Sequence, residues 1–392
     1  MAKRVGMEVA IAASEAVALC NIDMAAVYPI TPQSHIAEHL SDIVADGRID
    51  AEFVTVESEH SAISCVAGAS ATGARVYTAT SSQGLMLMHE ILPIVSAMRL
   101  PVVMGIANRA VSGPLNILND HTDIMSQRDC GWVVLFVENG QEAVDLTIQS
   151  FKIAENKDVM LPTCVNIDGF QLTHMVEPVE FPDQKLVNKF LPPRKPYATL
   201  HPDKPVTMGT FAMGDIFPEV MKAKDEALKG AKKVVLDVFA EWKKMFGREY
   251  KLVETYKTED AECVFVTMGS MGETAEVAVN ELRKAGVAAG LVKIRLWRPF
   301  PFEEFRAAIG KAKLLMVMDR AIVHGGMGGP VSVEIKSALY GEKNPPAVHD
   351  YIMGLGGRDV AVDDFEAMAR KSLEAYRKGV EKDYEFYGVR GE

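Results

Sequence analysis

The chain has 392 residues, and its 42 basic and 53 acidic side chains leave a net charge of −11. That acidity argues against non-specific nucleic-acid binding, which depends on Lys and Arg displacing phosphate counterions. Hydrophobic residues at 48% and charged residues at 24% exclude disordered, collagen-like and disulfide-scaffold chains, and the length suits two or three domains. In chain order, apolar spacing predicts a helix over 7–20, a strand over 25–30 and a helix from Pro32 to about 46, with Gly47 as its stop. A strand over 51–56 and a helix over 58–71 follow, the helix rich in Ala, Ser and Gly and so suited to close packing. Then come a strand over 76–80, a helix over 85–98, strands over 101–107 and 132–137, a helix over 142–155 and a closing strand over 159–167. Repeated strand–helix units predict a parallel sheet covered on both faces.

Residues 177–215 carry seven prolines and little periodicity, which reads as a connecting segment. A charged helix spans about 218–246. A second α/β unit begins near 261, with strands over 264–268, 290–294 and 314–318 and helices over 272–285 and 330–339. The predicted fold class is α/β throughout. The domains are placed at 1–175, 176–255 (connection and helix) and 256–392.

No apolar run reaches the ~18 residues of a membrane span. The N-terminus lacks the apolar stretch of a signal peptide. The expectation is a cytoplasmic protein. The five cysteines, Cys20, Cys65, Cys130, Cys164 and Cys263, are far apart and form no C-x-x-C pair. Zinc and iron–sulfur sites need clustered thiolates, so any metal centre is expected on another chain.

Ligands of open α/β sheets bind at the carboxyl ends of strands. Four such loops stand out. Tyr28-Pro-Ile-Thr-Pro32 fixes the backbone around one hydroxyl, Thr31, which could cap a helix or face a ligand. Glu57-Ser-Glu-His-Ser61 puts acids in a first helical turn, where they offset the dipole or, if buried, carry protons near neutral pH. Thr78-Ala-Thr-Ser-Ser-Gln-Gly84 is rich in hydroxyls and enters a helix through Gly84. Ala107-Asn-Arg-Ala110 places Arg109 where it can pair with a carboxylate, structural or bound. Downstream, residues 119–129 are dense in polar groups. His121, Asp123 and Arg128 could form one network, or the stretch could be surface made for a neighbour. The glycines of His324-Gly-Gly-Met-Gly-Gly329 and Gly354-Leu-Gly-Gly357 do not match a dinucleotide fingerprint and read as turns.

These loops resemble the alpha subunits of multi-subunit pyruvate:ferredoxin oxidoreductases, within the 2-oxoacid:ferredoxin oxidoreductase superfamily. The resembling segments are Tyr28-Pro-Ile-Thr-Pro, Val56-Glu-Ser-Glu-His-Ser-Ala-Ile-Ser, Thr78-Ala-Thr-Ser-Ser-Gln-Gly-Leu-Met-Leu-Met-His-Glu, Asn108-Arg-Ala, Ser126-Gln-Arg-Asp-Cys-Gly-Trp132, Arg298-Pro-Phe-Pro301 and Gly354-Leu-Gly-Gly-Arg-Asp359. They occur in family order over about 330 residues.

The resemblance implies a thiamine-diphosphate-binding domain of the pyrimidine type, followed by a domain like the transketolase C-terminal domain. It implies that Glu59 bonds N1′ of the aminopyrimidine and favours the imino tautomer that accepts the thiazolium proton. It implies that Thr31 and Arg109 face the substrate, with Ile30 and Ser82 beside the cofactor. The sequence has no Gly-Asp-Gly segment of the kind that holds the diphosphate and Mg²⁺. Those would come from a beta subunit, and [4Fe-4S] clusters from beta and delta subunits, in a complex that also has a gamma subunit. Ferredoxin and coenzyme A would complete the reaction with pyruvate. A branched-chain 2-oxoacid enzyme shares most of these motifs, whereas an oxalate-type relative would depart from Thr31. A non-catalytic scaffold of the same fold is the reading from another class.

Overall fold

A computed structural model describes residues 4–380 and 383–391. Two parallel-type sheets organise them, each with helices against it.

The first sheet has seven strands in the order Leu296–Arg298, Val133–Phe136, Thr163–Asp168, Val103–Asn108, Val76–Thr80, Met24–Val27, Glu52–Thr55. The six strands from the N-terminal half run parallel. Val76–Thr80, Val103–Asn108, Val133–Phe136 and Thr163–Asp168 are buried at every position, as expected for strands covered on both faces. The helices Val9–Leu19, Glu59–Ala71 and Gly140–Ala154 are close to the predicted spans.

Three stretches depart from the sequence reading. The helix expected over 85–98 is two short helices, Ser82–Leu87 and Leu92–Ala97, with Pro93 in the first turn of the second. A proline inside one continuous helix would remove a hydrogen bond and clash with the preceding turn. Within the proline-rich connection, Val176–Glu180 is a strand paired antiparallel with Arg4–Glu8, and Gln184–Phe190 is a helix. Both segments are short, and the pairing joins residues about 170 positions apart, so local periodicity carries no trace of it. The strand expected over 25–30 ends at Val27, because Pro29 and Pro32 cannot donate to a ladder.

The helix Phe217–Phe246 lies against this first unit, burying Val234, Val235, Val238, Phe239 and Trp242. Trp242 packs on Phe190 and Phe246. Gly247 ends the helix in the left-handed region (φ 83°), where a residue with a Cβ is strained.

The second sheet runs Tyr384–Phe386, Ala347–Ile352, Leu314–Asp319, Cys263–Thr267, Ala289–Ile294, Val253–Tyr256, all parallel except the last. The helices Met271–Lys284, Pro330–Leu339 and Val362–Arg377 pack beside it. The two sheets are not separate along the chain. After Ile294 the polypeptide returns to the first sheet, where Leu296–Arg298 pairs antiparallel with Val133–Phe136.

Candidate active site

Parallel pairing brings the loops after Val27, Thr55, Thr80 and Asn108 to one edge of the first sheet. Ser58 begins the helix Glu59–Ala71, its hydroxyl accepting the Ser61 N–H at 3.2 Å. Glu59 is then the first helical residue and is 6% exposed. The two acids of the motif point to different environments. Glu57 is exposed and accepts the Ser61 hydroxyl at 2.7 Å. Glu59 faces inward, and burial pushes its pKa up, against the bond to its own backbone N–H. Among the described residues no cation pairs with it.

Gly84 sits directly against this carboxyl. A Cβ at Gly84 would lie 2.5 Å from Glu59 Oε1 and 2.5 Å from Thr80 Oγ1. Only a glycine allows the short helix Ser82–Leu87 to approach so closely. Thr80 Oγ1 is buried and has no hydrogen-bond partner among the described residues.

On the other side of this turn is Arg109, 7% exposed. Its Nη1 donates to the Thr31 carbonyl at 2.9 Å and its Nε to the Asn116 carbonyl at 3.0 Å. Its Nη2 makes a long 3.4 Å contact with Gln83 Oε1. These three acceptors are neutral, and no carboxylate pairs with the guanidinium among the described residues. The structural ion pair left open by the sequence is therefore not what holds Arg109.

Asp123 organises the backbone around Arg109. One carboxylate oxygen accepts the N–H of Arg109 at 3.0 Å and of Ser82 at 3.1 Å; the other accepts Asn108 Nδ2 at 3.0 Å. Complete burial pushes its pKa up to about 6, against these donors. Sequence reasoning did not assign this role, because Asp123 lies 41 residues from Ser82 along the chain.

Of the other predicted residues, Thr31 is exposed and does not cap the following helix, whose N-cap position is Gln33. Ile30 is half-buried, and its N–H donates to Gln33 Oε1 at 3.3 Å. Ser82 is buried with φ 44°, and its hydroxyl is spent on the Ala110 carbonyl and Gln83. It shapes the turn and offers its hydroxyl to internal partners.

The polar stretch 119–129 corrects two expectations. His121, Asp123 and Arg128 form no common network. His121 Nε2 lies 2.8 Å from Asp168 Oδ1, Asp123 turns to Arg109, and Arg128 donates to the Met125 carbonyl at 2.6 Å. Nor is the first part of the stretch open surface. Asn119, Asp120, His121 and Asp123 are all buried, and the first three serve the seam with the second sheet. The His121 N–H donates to the Arg320 carbonyl at 2.8 Å, and Gly356 and Gly357 donate to Asp120 and Asn119. Burial alone would raise the Asp168 pKa, but Arg320, His121 and Ser270 hold it far below the carboxylate range. All five cysteines are free thiols; Cys65 is half-buried and the rest are buried.

Residues 15–240 match the family "Pyruvate flavodoxin/ferredoxin oxidoreductase, thiamine diP-bdg". Residues 261–365 match "Pyruvate:ferredoxin oxidoreductase core domain II". The chain belongs to the pyruvate:ferredoxin oxidoreductase family. It is 47% identical over 383 residues to pyruvate synthase subunit PorA of Pyrococcus horikoshii, covering 97% of both chains. It is 42% identical over 382 residues to ketoisovalerate oxidoreductase subunit VorA of the same organism, covering 97% and 96%.

Among solved structures, 2-oxoglutarate:ferredoxin oxidoreductase from Magnetococcus marinus aligns with a TM-score of 0.75 at 19% identity. The alignment covers 94% of this chain and 65% of that one. A split-gene transketolase aligns with a TM-score of 0.57 at 12% identity, over 94% and 99%. The fold of this pyruvate:ferredoxin oxidoreductase subunit is therefore the expected pairing of a thiamine-enzyme domain with a transketolase-like C-terminal domain. No helix among the described residues is long and apolar enough to cross a membrane.

Proposed function

We propose that the chain is the alpha subunit of a pyruvate:ferredoxin oxidoreductase, catalysing oxidative decarboxylation of pyruvate with coenzyme A to acetyl-CoA, CO₂ and reduced ferredoxin, or the reverse. One observation carries the reading. Among the described residues, 82–84 separate a buried carboxyl without a cation, Glu59, from a buried guanidinium without a carboxylate, Arg109. Isolated buried charges are costly, so such groups await a partner or a function.

The site suits the aminopyrimidine half of thiamine diphosphate. Glu59 offers a carboxyl whose raised pKa suits a shared proton with ring atom N1′, and Thr80 Oγ1 is a further polar atom without a partner among the described residues. When bound, the cofactor supplies the nucleophilic carbon and the electron sink. Arg109 keeps donor capacity beyond its three carbonyl contacts, enough to orient the carboxylate of a 2-oxoacid. Thr31 stands at the exposed lip of the site, its carbonyl fixed by Arg109, with Ile30 beside it.

Beta, gamma and delta subunits complete the enzyme in this reading. The beta subunit supplies the diphosphate and Mg²⁺ half-site, [4Fe-4S] clusters lie on the partner chains, and ferredoxin takes the electrons. Residues 1–175 form the thiamine domain core, 176–255 the connection and 256–392 the C-terminal domain, in the cytoplasm. The branched-chain alternative has support in the 42% identity to the ketoisovalerate enzyme subunit. A substrate panel on the reconstituted complex decides between them. Higher kcat/KM for pyruvate than for 2-ketoisovalerate supports the first reading, and the opposite order the second. No turnover of either by a fully loaded complex would leave the scaffold reading.

A further inference from the structure

Three side chains of types that can bind a metal, Glu8, His35 and His174, converge away from the Glu59 carboxyl. Glu8 ends the strand Arg4–Glu8, His35 lies in the first turn of Ser34–Ala45, and His174 follows the strand Thr163–Asp168. One donor atom from each lies within 4.8 Å of the other two. All three residues are half-buried. His35 Nδ1 is 2.5 Å from Glu8 Oε1, and the two imidazole rings stack with centroids 4.6 Å apart.

The His174 ring is held from behind. Its Nδ1 lies 2.8 Å from Thr173 Oγ1, which accepts the Phe170 N–H at 2.9 Å, and Phe170 packs on the ring at 4.6 Å. When Nδ1–H donates to Thr173, the Nε2 lone pair is free to bind a cation. Fixing one imidazole nitrogen with a hydrogen bond is how metal-binding histidines are oriented.

We propose that Glu8, His35 and His174 bind one divalent transition-metal ion of the Zn²⁺ class. Two imidazoles and one carboxylate suit borderline ions, whereas Mg²⁺ prefers an all-oxygen shell. Zn²⁺–ligand bonds of ~2.0–2.1 Å place tetrahedral donors roughly 3.3 Å apart. To reach that spacing the trio, now within 4.8 Å, must draw in while Glu8 Oε1 and His35 Nδ1, 2.5 Å apart, part to admit the ion between them. The ion would clip together the end of the strand Arg4–Glu8, the first turn of the helix Ser34–Ala45 and the loop after Thr163–Asp168. A Cβ at Gly169, at the start of the His174 loop, would lie 2.6 Å from Pro32 Cγ. The clip therefore braces the turn whose carbonyl holds Arg109.

The test is titration of the EDTA-treated full chain with ZnCl₂ alone, followed by calorimetry and thermal melting, with MgCl₂ as the control. Wild type should bind one Zn²⁺ and melt at a higher temperature with it, and should ignore Mg²⁺. His174→Ala should weaken binding by ~10–100-fold or more. Glu8→Gln, which preserves shape at a half-exposed position, should do the same and covers the case in which His174→Ala fails to fold. Absence of a stoichiometric Zn²⁺ site in wild type, or affinity unchanged in the folded variants, overturns the proposal.

Discussion

Gly84 and Glu59 are packed so that one added carbon on the glycine would come within 2.5 Å of the carboxylate. The short helix carrying Gly84 thus determines where the Glu59 carboxyl points. Gly→Ala within a helix ordinarily stabilises by about 0.5–1 kcal/mol. Here Gly84→Ala should destabilise by about 1–3 kcal/mol through overpacking and should lower kcat as Glu59 is displaced. Denaturant melts and turnover of the reconstituted complex measure both; a more stable and fully active variant contradicts the packing argument.

Glu59→Gln keeps the shape and removes the carboxyl. A lost general acid–base role costs ~10²–10⁴-fold in rate. The fold should not suffer. Burial raises the Glu59 pKa, so ionising it costs stability as pH rises above the ordinary carboxylate range. At pH 7 the variant should melt no lower than wild type. A rate within about threefold of wild type, well inside the general acid–base range, removes Glu59 from the chemistry.

Arg109→Lys keeps the charge but cannot span the Thr31 and Asn116 carbonyls while presenting a planar fork. KM for pyruvate should rise by roughly tenfold or more, the loss expected of one charge-assisted hydrogen bond at ~1.5–3 kcal/mol. Unchanged KM with a sharply lower melting temperature would make Arg109 a purely structural residue.

Asp168 accepts Arg320 Nη1 at 2.9 Å and the Ser270 hydroxyl at 2.6 Å, with His121 2.8 Å from its other oxygen. Asp168→Asn leaves a buried guanidinium without its counter-charge, a loss of about 3–5 kcal/mol. Because the folded pKa lies below the unfolded value of ~3.9, the wild-type contribution is complete above that pH and fades as the medium becomes more acidic. Stability profiles from pH 7 to pH 2 should therefore converge at the acid end. Parallel profiles would show that Asp168 does not supply the acid-labile stability.

Expressed without partners, the chain should be colourless, bind thiamine diphosphate weakly and show no turnover. Its lack of a Gly-Asp-Gly segment and its five scattered cysteines motivate this. Calorimetric titration with thiamine diphosphate and Mg²⁺, before and after adding the beta subunit, is the check. Tight binding or pyruvate-dependent acceptor reduction by the lone chain contradicts the half-site reading.

The buried strands were legible because both faces need apolar residues, as in Val76–Thr80 and Val103–Asn108. The stripe of Val234, Val235, Val238, Phe239 and Trp242 likewise marked the long helix. Leu296–Arg298 was not legible: three residues carry no period, and their partner lies about 160 positions away. At the site, spacing could not separate Glu57 from Glu59. The resemblance chose Glu59, and the structure places that side chain inward and Glu57 outward. Asp123 stood out only as a possible partner of His121 and Arg128, not of Ser82 and Arg109, and nothing marked Asp168, whose partner Arg320 lies 152 residues away.

The antiparallel strand Leu296–Arg298 makes the two halves of the chain mutually dependent. A protein cut near residue 255 would keep every parallel strand of the first sheet yet present Val133–Phe136 as a bare apolar edge, an invitation to pair with another molecule. The C-terminal half lends its neighbour a border, and Lys293 and Arg295, flanking that loan, anchor it to Glu138 and Glu142. Large swings of one half against the other would tear this border. If Glu59 and Arg109 serve the proposed cofactor and substrate, access to them would come from loop movement or from the arrival and departure of other chains.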